Sequence, residues 1–227
     1  MRTPILEDVL RSPRDLAPYI DHTLLAPGAT REDVARLCAE AREHGMGAVC
    51  LYRNAIPEAR RLLEGSAVKA IAVVDFPKGE GAIGARVLEA VEAVRLGADE
   101  LDVVAPLPAL LAGRFEAALE DLRAIVRGVP VPVKVILETS RLSREQKVVA
   151  AALARCAGAA FVKTSTGFAG GGATVEDVAL LRAVVGDELG VKASGGIRTA
   201  ADALAMVRAG ASRIGASASV KILTGTF

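Results

Sequence analysis

Ala157-Gly158-Ala159-Ala160-Phe161-Val162-Lys163-Thr164-Ser165-Thr166-Gly167 holds the unit from which the chain is built. A glycine between alanines stops a helical pattern, a short apolar run follows, and hydroxyls and a glycine then open a loop. The same stop recurs at Leu96-Gly97-Ala98 and at Ala209-Gly210-Ala211, each time just before another apolar run. Working outward, strands are expected near Tyr19–His22, Ala48–Leu51, Val68–Val74, Glu100–Val104, Val131–Leu137, Ala160–Lys163, Gly190–Ala193 and Ser212–Ile214. Amphipathic stretches lie between most of them: Arg31–Glu43, Ile83–Leu96, Arg114–Arg127, Ser143–Ala157, Thr174–Gly186 and Thr199–Ala209. Thr30 before Glu32-Asp33 and Thr174 before Glu176-Asp177 are N-cap signals. Eight βα units in 227 residues fit an α/β chain folded as one (β/α)8 TIM barrel over residues 1–227, with a short N-terminal helical extension.

Composition narrows the class. The chain is 52% hydrophobic, yet no apolar stretch reaches membrane-spanning length, and Met1 to Arg14 carries acidic residues unlike a secretory signal. A net charge of +1 gives no argument for nucleic acid, and the absence of tryptophan gives none for a nucleobase platform. Cys38, Cys50 and Cys156 are odd in number and scattered, so a disulfide framework is not expected and the cytoplasm is the default. His22 and His44 are too far apart for a histidine-rich metal site. Asn54 and Gln146 are the only side-chain amides, which fits a thermophile.

On such a barrel, chemistry sits at the C-terminal ends of the strands. Lys163 falls there, and so do Lys192, Asp102, Asp75 and Asp21; Lys134 lies earlier in its strand, in a deeper layer, and Glu138 is nearer the loop. Only seven lysines stand against 21 arginines, and three of the seven sit in apolar strand-like runs. A single such lysine could snorkel to solvent between helices. Two at strand ends, each followed by small polar residues and glycine, point instead to an amine kept neutral for attack on a carbonyl. A second ammonium close by disfavours protonation of the first, which casts Lys163 as nucleophile and Lys192 as its tuner. Asp102 shares a strand face with Glu100, and a barrel-interior carboxylate needs a cationic partner, proton-handling work, or both.

Ser194-Gly195-Gly196-Ile197-Arg198-Thr199 and Arg213-Ile214-Gly215-Ala216-Ser217 suit an anion held by backbone N–H groups, although the glycines could serve only as turns. Gly79-Glu80-Gly81-Ala82-Ile83-Gly84 matches a dinucleotide fingerprint, but Phe76-Pro77-Lys78 separates it from its strand, so that reading is disfavoured. Cys50 reads first as a buried structural thiol.

These motifs, in this order, resemble the deoxyribose-phosphate aldolase family. The likeness rests on Ile20–Leu25, Ala48–Tyr52, Phe76–Gly79, Glu100–Val104, Val133–Thr139, Val162–Gly167, Val191–Arg198 and Ile214–Ser217. It implies a class I aldolase with no metal and no cofactor, cleaving 2-deoxy-D-ribose 5-phosphate to D-glyceraldehyde 3-phosphate and acetaldehyde. By the resemblance Lys163 forms the imine, Lys192 keeps that amine neutral and holds Asp102, and Asp102 moves protons through a water. Gly195, Gly196, Gly215 and Ser217 would hold the phosphate, with Gly167, Thr164 and Cys50 completing the substrate-binding set. Two departures stand out: Phe168 where some members have a basic residue, and Phe227 where some end in tyrosine. The first would leave phosphate binding to backbone dipoles, and the second puts the proton route in question. Open alternatives are another phosphosugar barrel enzyme, whether a different aldolase or an isomerase, and a non-catalytic phosphosugar-binding barrel. The expected partners are small phosphosugars and aldehydes, without nucleic acid or membrane. A homo-oligomer, dimer or tetramer, is also expected, for which Leu62-Leu63 and Val220-Lys221-Ile222-Leu223 are candidate interface positions.

Overall fold

A computed structural model describes residues 10–226. The chain runs β1 (Ile20–Thr23), α1 (Arg31–Glu43), β2 (Ala48–Tyr52), α2 (Ile56–Leu62), β3 (Lys69–Val74), α3 (Ile83–Arg95), β4 (Glu100–Val104), α4 (Leu107–Leu111), α5 (Phe115–Gly128), β5 (Val133–Ile136), α6 (Arg144–Ala157), β6 (Phe161–Lys163), α7 (Val175–Val185), β7 (Gly190–Ser194), α8 (Ala200–Arg208), β8 (Arg213–Ala216) and α9 (Ser219–Thr224). The eight strands pair in parallel, in sequence order, and close into a barrel through β1 and β8, where Ile20 registers with Ile214. This is the expected (β/α)8 barrel.

The helix stops identified in the sequence are one turn used repeatedly. Gly97, Gly158 and Gly210 all take positive φ, and the alanine after each donates back to the carbonyl five residues earlier: Ala98 to Ala93, Ala159 to Ala154, Ala211 to Met206. That geometry satisfies orphan carbonyls at the helix end and aims the chain into the next strand. At the other ends Thr30, Ser143, Thr174 and Thr199 accept from backbone N–H groups three residues on, each cap contributing about 1 kcal/mol.

Strand alternation divides the barrel wall. On β6, Val162 packs outward under the helices while Phe161 and Lys163 face inward; on β7, Val191 and Ala193 pack outward and Lys192 faces inward. The outer layer is the main core, and each buried Val, Leu or Ile there contributes about 1.5–3 kcal/mol. The inner volume is split by chemistry. Ala48, Cys50, Ile71 and Val73 make an apolar half on β2 and β3, closed by Leu25. The remaining strands fill the other half with charge.

Three short helices, α2, α4 and α9, were not expected. Each is seven residues or fewer, too short to show a hydrophobic period. The candidate interface positions need correction in part: Leu63, Ile222 and Leu223 are buried within this chain and offer no apolar surface to a neighbour, whereas Leu62 and Val220 are half-buried and Lys221 is exposed. The described part of the N-terminal extension is a 3-10 helix, Pro13–Tyr19, whose Leu16 is fully buried; the remainder of that expectation lies outside the described residues.

Candidate active site

A cavity of about 370 Å³ opens at the C-terminal end of the barrel. Lys163 reaches it from the end of β6, and Gly167, Gly195, Gly196, Gly215 and Ser217 line it together with Phe168 and Arg198. Below Lys163 lies a column of buried charge. Lys163 Nζ and Lys192 Nζ each donate to the same oxygen, Asp102 Oδ2, at 2.7 Å. Lys192 also stands 2.5 Å from Asp21 Oδ2, and Arg213 donates to Asp21 Oδ1 at 2.8 Å. Deeper still, Lys134 lies 2.5 Å from Glu100 and 3.2 Å from Asp102 Oδ1, and Arg213 reaches Glu100 at 3.7 Å.

The ladders create this convergence. Lys163 and Lys192 are Cα partners across β6 and β7, and Asp102 and Lys134 are partners across β4 and β5. Partnered residues point to the same face, so the register alone places the groups together. Gly215 makes room for one of them. A Cβ there would sit 3.0 Å from Lys192 Cε and 2.3 Å from Ser194 Oγ, so only glycine lets the Lys192 stem pass.

Electrostatics follow from burial and neighbours. Burial opposes the charge on Asp102, but Lys163, Lys192 and Lys134 outweigh it and hold the carboxyl well below its ordinary range. Burial likewise opposes the charge on Asp21 and Glu100, and their cationic partners hold both below the usual value. Burial disfavours the Lys192 ammonium too, yet Asp102 and Asp21 overcome it and keep that amine protonated above its normal range. Cys50 Sγ lies 3.9 Å from Asp102 Oδ2, and its thiol is pushed up to about 11, first by burial and then by Asp102, so it remains a neutral thiol.

The structure places the other expected residues as follows. Thr164 is fully buried, its hydroxyl donating to Ser194 O and accepting from Ser194 N, so it buttresses β6 against β7 and does not reach the cavity. Cys50 also sits below the cavity lining, against Asp102. Asp75 does not join the column: it has φ 49°, pairs with Arg86 at 3.2 Å and accepts from Gly81 N. Gly79 of the fingerprint-like run packs on the backbone of Ala105, where a Cβ would come 2.2 Å from the carbonyl oxygen. Glu138 accepts from Thr166 N and from its hydroxyl, fixing the loop that follows Lys163. Phe168 packs edge-on against Phe76, with centroids 5.3 Å apart.

Sequence reasoning missed two cations. Arg198 lines the cavity beside Gly195 and Gly196, so an anion there meets a guanidinium as well as backbone dipoles. Arg213, read only as part of the last strand and of the glycine run that follows it, belongs to the buried column. Among the described residues no cluster of three or more metal-ligating side chains occurs, and no helix is long and apolar enough to cross a membrane.

Comparison with known proteins identifies the family and the fold. A family profile described as DeoC/LacD family aldolase matches residues 16–225. A deoxyribose-phosphate aldolase of Caldanaerobacter subterraneus subsp. tengcongensis is 50% identical over 213 residues, 92% of each chain. One of Deinococcus radiodurans is 51% identical over 211 residues, 92% of this chain and 96% of the relative. Among solved structures, the deoxyribose phosphate aldolase of Aeropyrum pernix, described as a unique tetramer, superposes with a TM-score of 0.88 at 38% identity, covering 98% of this chain and 97% of that one. A putative deoxyribose-phosphate aldolase of Coccidioides immitis gives 0.90 at 41% identity, with 97% and 86% covered.

Proposed function

The chain belongs to the DeoC/LacD aldolase family, and from that premise we propose that it is a deoxyribose-phosphate aldolase working through an imine on Lys163. The observation that carries the mechanism is one amine at the cavity floor, sharing a carboxylate oxygen with a second, fully buried amine. The neutral Lys163 amine adds to C1 of open-chain 2-deoxy-D-ribose 5-phosphate, and loss of water gives an iminium. The iminium withdraws electrons from C2, so the C2–C3 bond breaks as the C3 hydroxyl loses its proton. D-glyceraldehyde 3-phosphate leaves, and the remaining enamine takes a proton at C2. Water then hydrolyses the iminium, releasing acetaldehyde and free amine.

Asp102 serves as proton relay through a water, and Lys192, held charged, orients Asp102. Gly195, Gly196, Gly215 and Ser217 bind the phosphate with backbone N–H groups, Arg198 adds a cation, and Gly167 borders the same region. That anchoring supplies binding energy remote from the reacting carbons. The reaction as written needs no metal or organic cofactor. The chain acts in the cytoplasm, in deoxyribonucleotide catabolism, as a homo-oligomer; the tetrameric Aeropyrum pernix relative supports the assembly. The scarcity of amides supports heat resistance, with a Tm above about 65 °C.

Acetaldehyde plus sodium borohydride tests the reading. Mass spectrometry should find an ethyl adduct of about 28 Da on Lys163 that is lost in Lys163→Ala, since only an imine is reduced to a stable adduct on the protein. A folded wild-type protein with no adduct would transfer the site to a non-covalent isomerase.

A further inference from the structure

Lys163 must spend time as a free amine to add to a carbonyl, yet its amine donates to Asp102 at 2.7 Å. The buried column holds the resolution. Among the described residues the groups joined by its ion pairs are, strand by strand, Asp21 on β1, Glu100 and Asp102 on β4, Lys134 on β5, Lys163 on β6, Lys192 on β7 and Arg213 on β8. Glu138, buried just past β5, is a further carboxylate but is engaged by Thr166 and forms no ion pair with the column. From β2 come the neutral Cys50 thiol and, at the strand end, the Tyr52 phenol, which packs against Phe76. From β3 comes Lys69, which touches Glu100 at 2.7 Å but is about half exposed, where water screens it. With Lys69 set aside, the ion-paired column therefore joins four cations to three carboxylates.

Which cation is surplus follows from contacts. Lys192 bridges Asp21 and Asp102, and Lys134 bridges Glu100 and Asp102. Arg213 bridges Asp21 and Glu100 and is a guanidinium, which does not give up its proton. Arg213 and Lys134 also lie 5.6 and 5.7 Å from the centre of the Phe161 ring, an arrangement that favours both as cations. Lys163 touches one carboxylate, shares the oxygen with Lys192, and alone of the four lines the cavity. Without its extra proton the column is neutral, and Asp102 still sits between two ammonium groups. An uncompensated charge in the barrel interior is costly.

We propose that Arg213, at the foot of the barrel, is a positioning residue for the reaction: its fixed charge occupies Asp21 and Glu100 and so forces the surplus proton off Lys163. The inference rests on the imine reading. Without Arg213, three amines face three carboxylates, the column is neutral with Lys163 charged, and the nucleophile is switched off at neutral pH.

The test is kcat/KM against pH for Arg213→Met and Arg213→Lys, with borohydride trapping on the same samples. Arg213→Met should lose about tenfold or more near pH 7 and recover as pH rises, its acid limb displaced upward by about one unit. Arg213→Lys keeps the charge and should leave the limb where the wild type has it. Arg213→Met combined with Asp21→Asn removes one charge of each sign and should bring the limb back. Should Arg213→Met fail to fold, Lys134→Met removes a different cation and should displace the limb in the same direction. A limb unmoved in these single Met variants, or moved equally by Arg213→Lys, overturns the proposal while trapping on Lys163 persists. Absence of trapping in the wild type overturns the imine reading itself.

Discussion

Lys163 and Lys192, Cα partners on adjacent strands, converge on a single oxygen of Asp102, each at 2.7 Å. A carboxylate so shared cannot fully neutralise both amines, and Lys192, with Asp21 as a second anion at 2.5 Å, has the stronger claim.

Lys192→Met should therefore cost more than a contact. Asp102 would turn to Lys163 as its nearest cation and hold that amine protonated. Turnover near pH 7 should fall by about 10²-fold or more, and adduct formation should recover at higher pH. A pH profile of trapping checks this, and an unchanged acid limb would remove Lys192 from the tuning role.

Arg198→Ala should separate phosphate binding from chemistry. A charge-assisted hydrogen bond contributes about 1.5–3 kcal/mol, and Arg198 is exposed at the cavity rim, so the lower end applies. KM for 2-deoxy-D-ribose 5-phosphate should rise about tenfold, with kcat on unphosphorylated 2-deoxyribose unchanged. Equal loss on both sugars would show that Arg198 does not serve the phosphate.

Gly215→Ala probes the packing beneath the cavity. The new methyl would meet Lys192 Cε at 3.0 Å and Ser194 Oγ at 2.3 Å. Ser194 can rotate its hydroxyl, but the Lys192 stem is enclosed and must shift as a whole. Overpacking of this kind costs about 1–3 kcal/mol, and kcat should drop with it. Wild-type kcat in a destabilised Gly215→Ala protein would mean that the position of Lys192 is not critical.

Acid should unfold the protein through its own column. Asp21, Glu100 and Asp102 have folded values below their unfolded ones. As pH falls, the unfolded chain binds protons first, so their stabilisation is complete above about pH 5 and is lost progressively below about pH 4. Asp121, raised chiefly by burial, works in the opposite sense and loses stability as pH rises past its unfolded value. Urea midpoints between pH 3 and 7 would show a steep fall at the acid end; a flat curve would contradict the charge assignments.

Much of this was legible in the sequence because period and punctuation agree. β-Branched runs, threonine caps and glycine stops marked all eight strands and the six longer helices to within a few residues, and strand ends pointed to Lys163, Lys192 and Asp102. What stayed hidden depended on direction and distance. Asp75 ends a strand as Asp21 and Asp102 do, yet its positive φ belongs to a loop held by Arg86. Thr164 adjoins Lys163 but points into the wall, where its hydroxyl ties two strands. Arg213 looks like any basic residue at a strand start, and its partner Asp21 lies 192 positions away. No local pattern encodes a pair so remote. Leu63 and Leu223 look like surface apolar positions only until the short helices that bury them are known.

The contact between Asp21 and Arg213 joins the first strand of the barrel to the last. Closing so long a loop is among the slower steps open to a chain of this size. The charged column beneath Lys163 therefore cannot be fully assembled on a ribosome-bound fragment still lacking β8, nor in a partly refolded molecule whose sheet is open. Reactivity toward aldehydes becomes a timer for completion of the fold: during refolding, imine formation should return together with barrel closure and lag behind the recovery of helix.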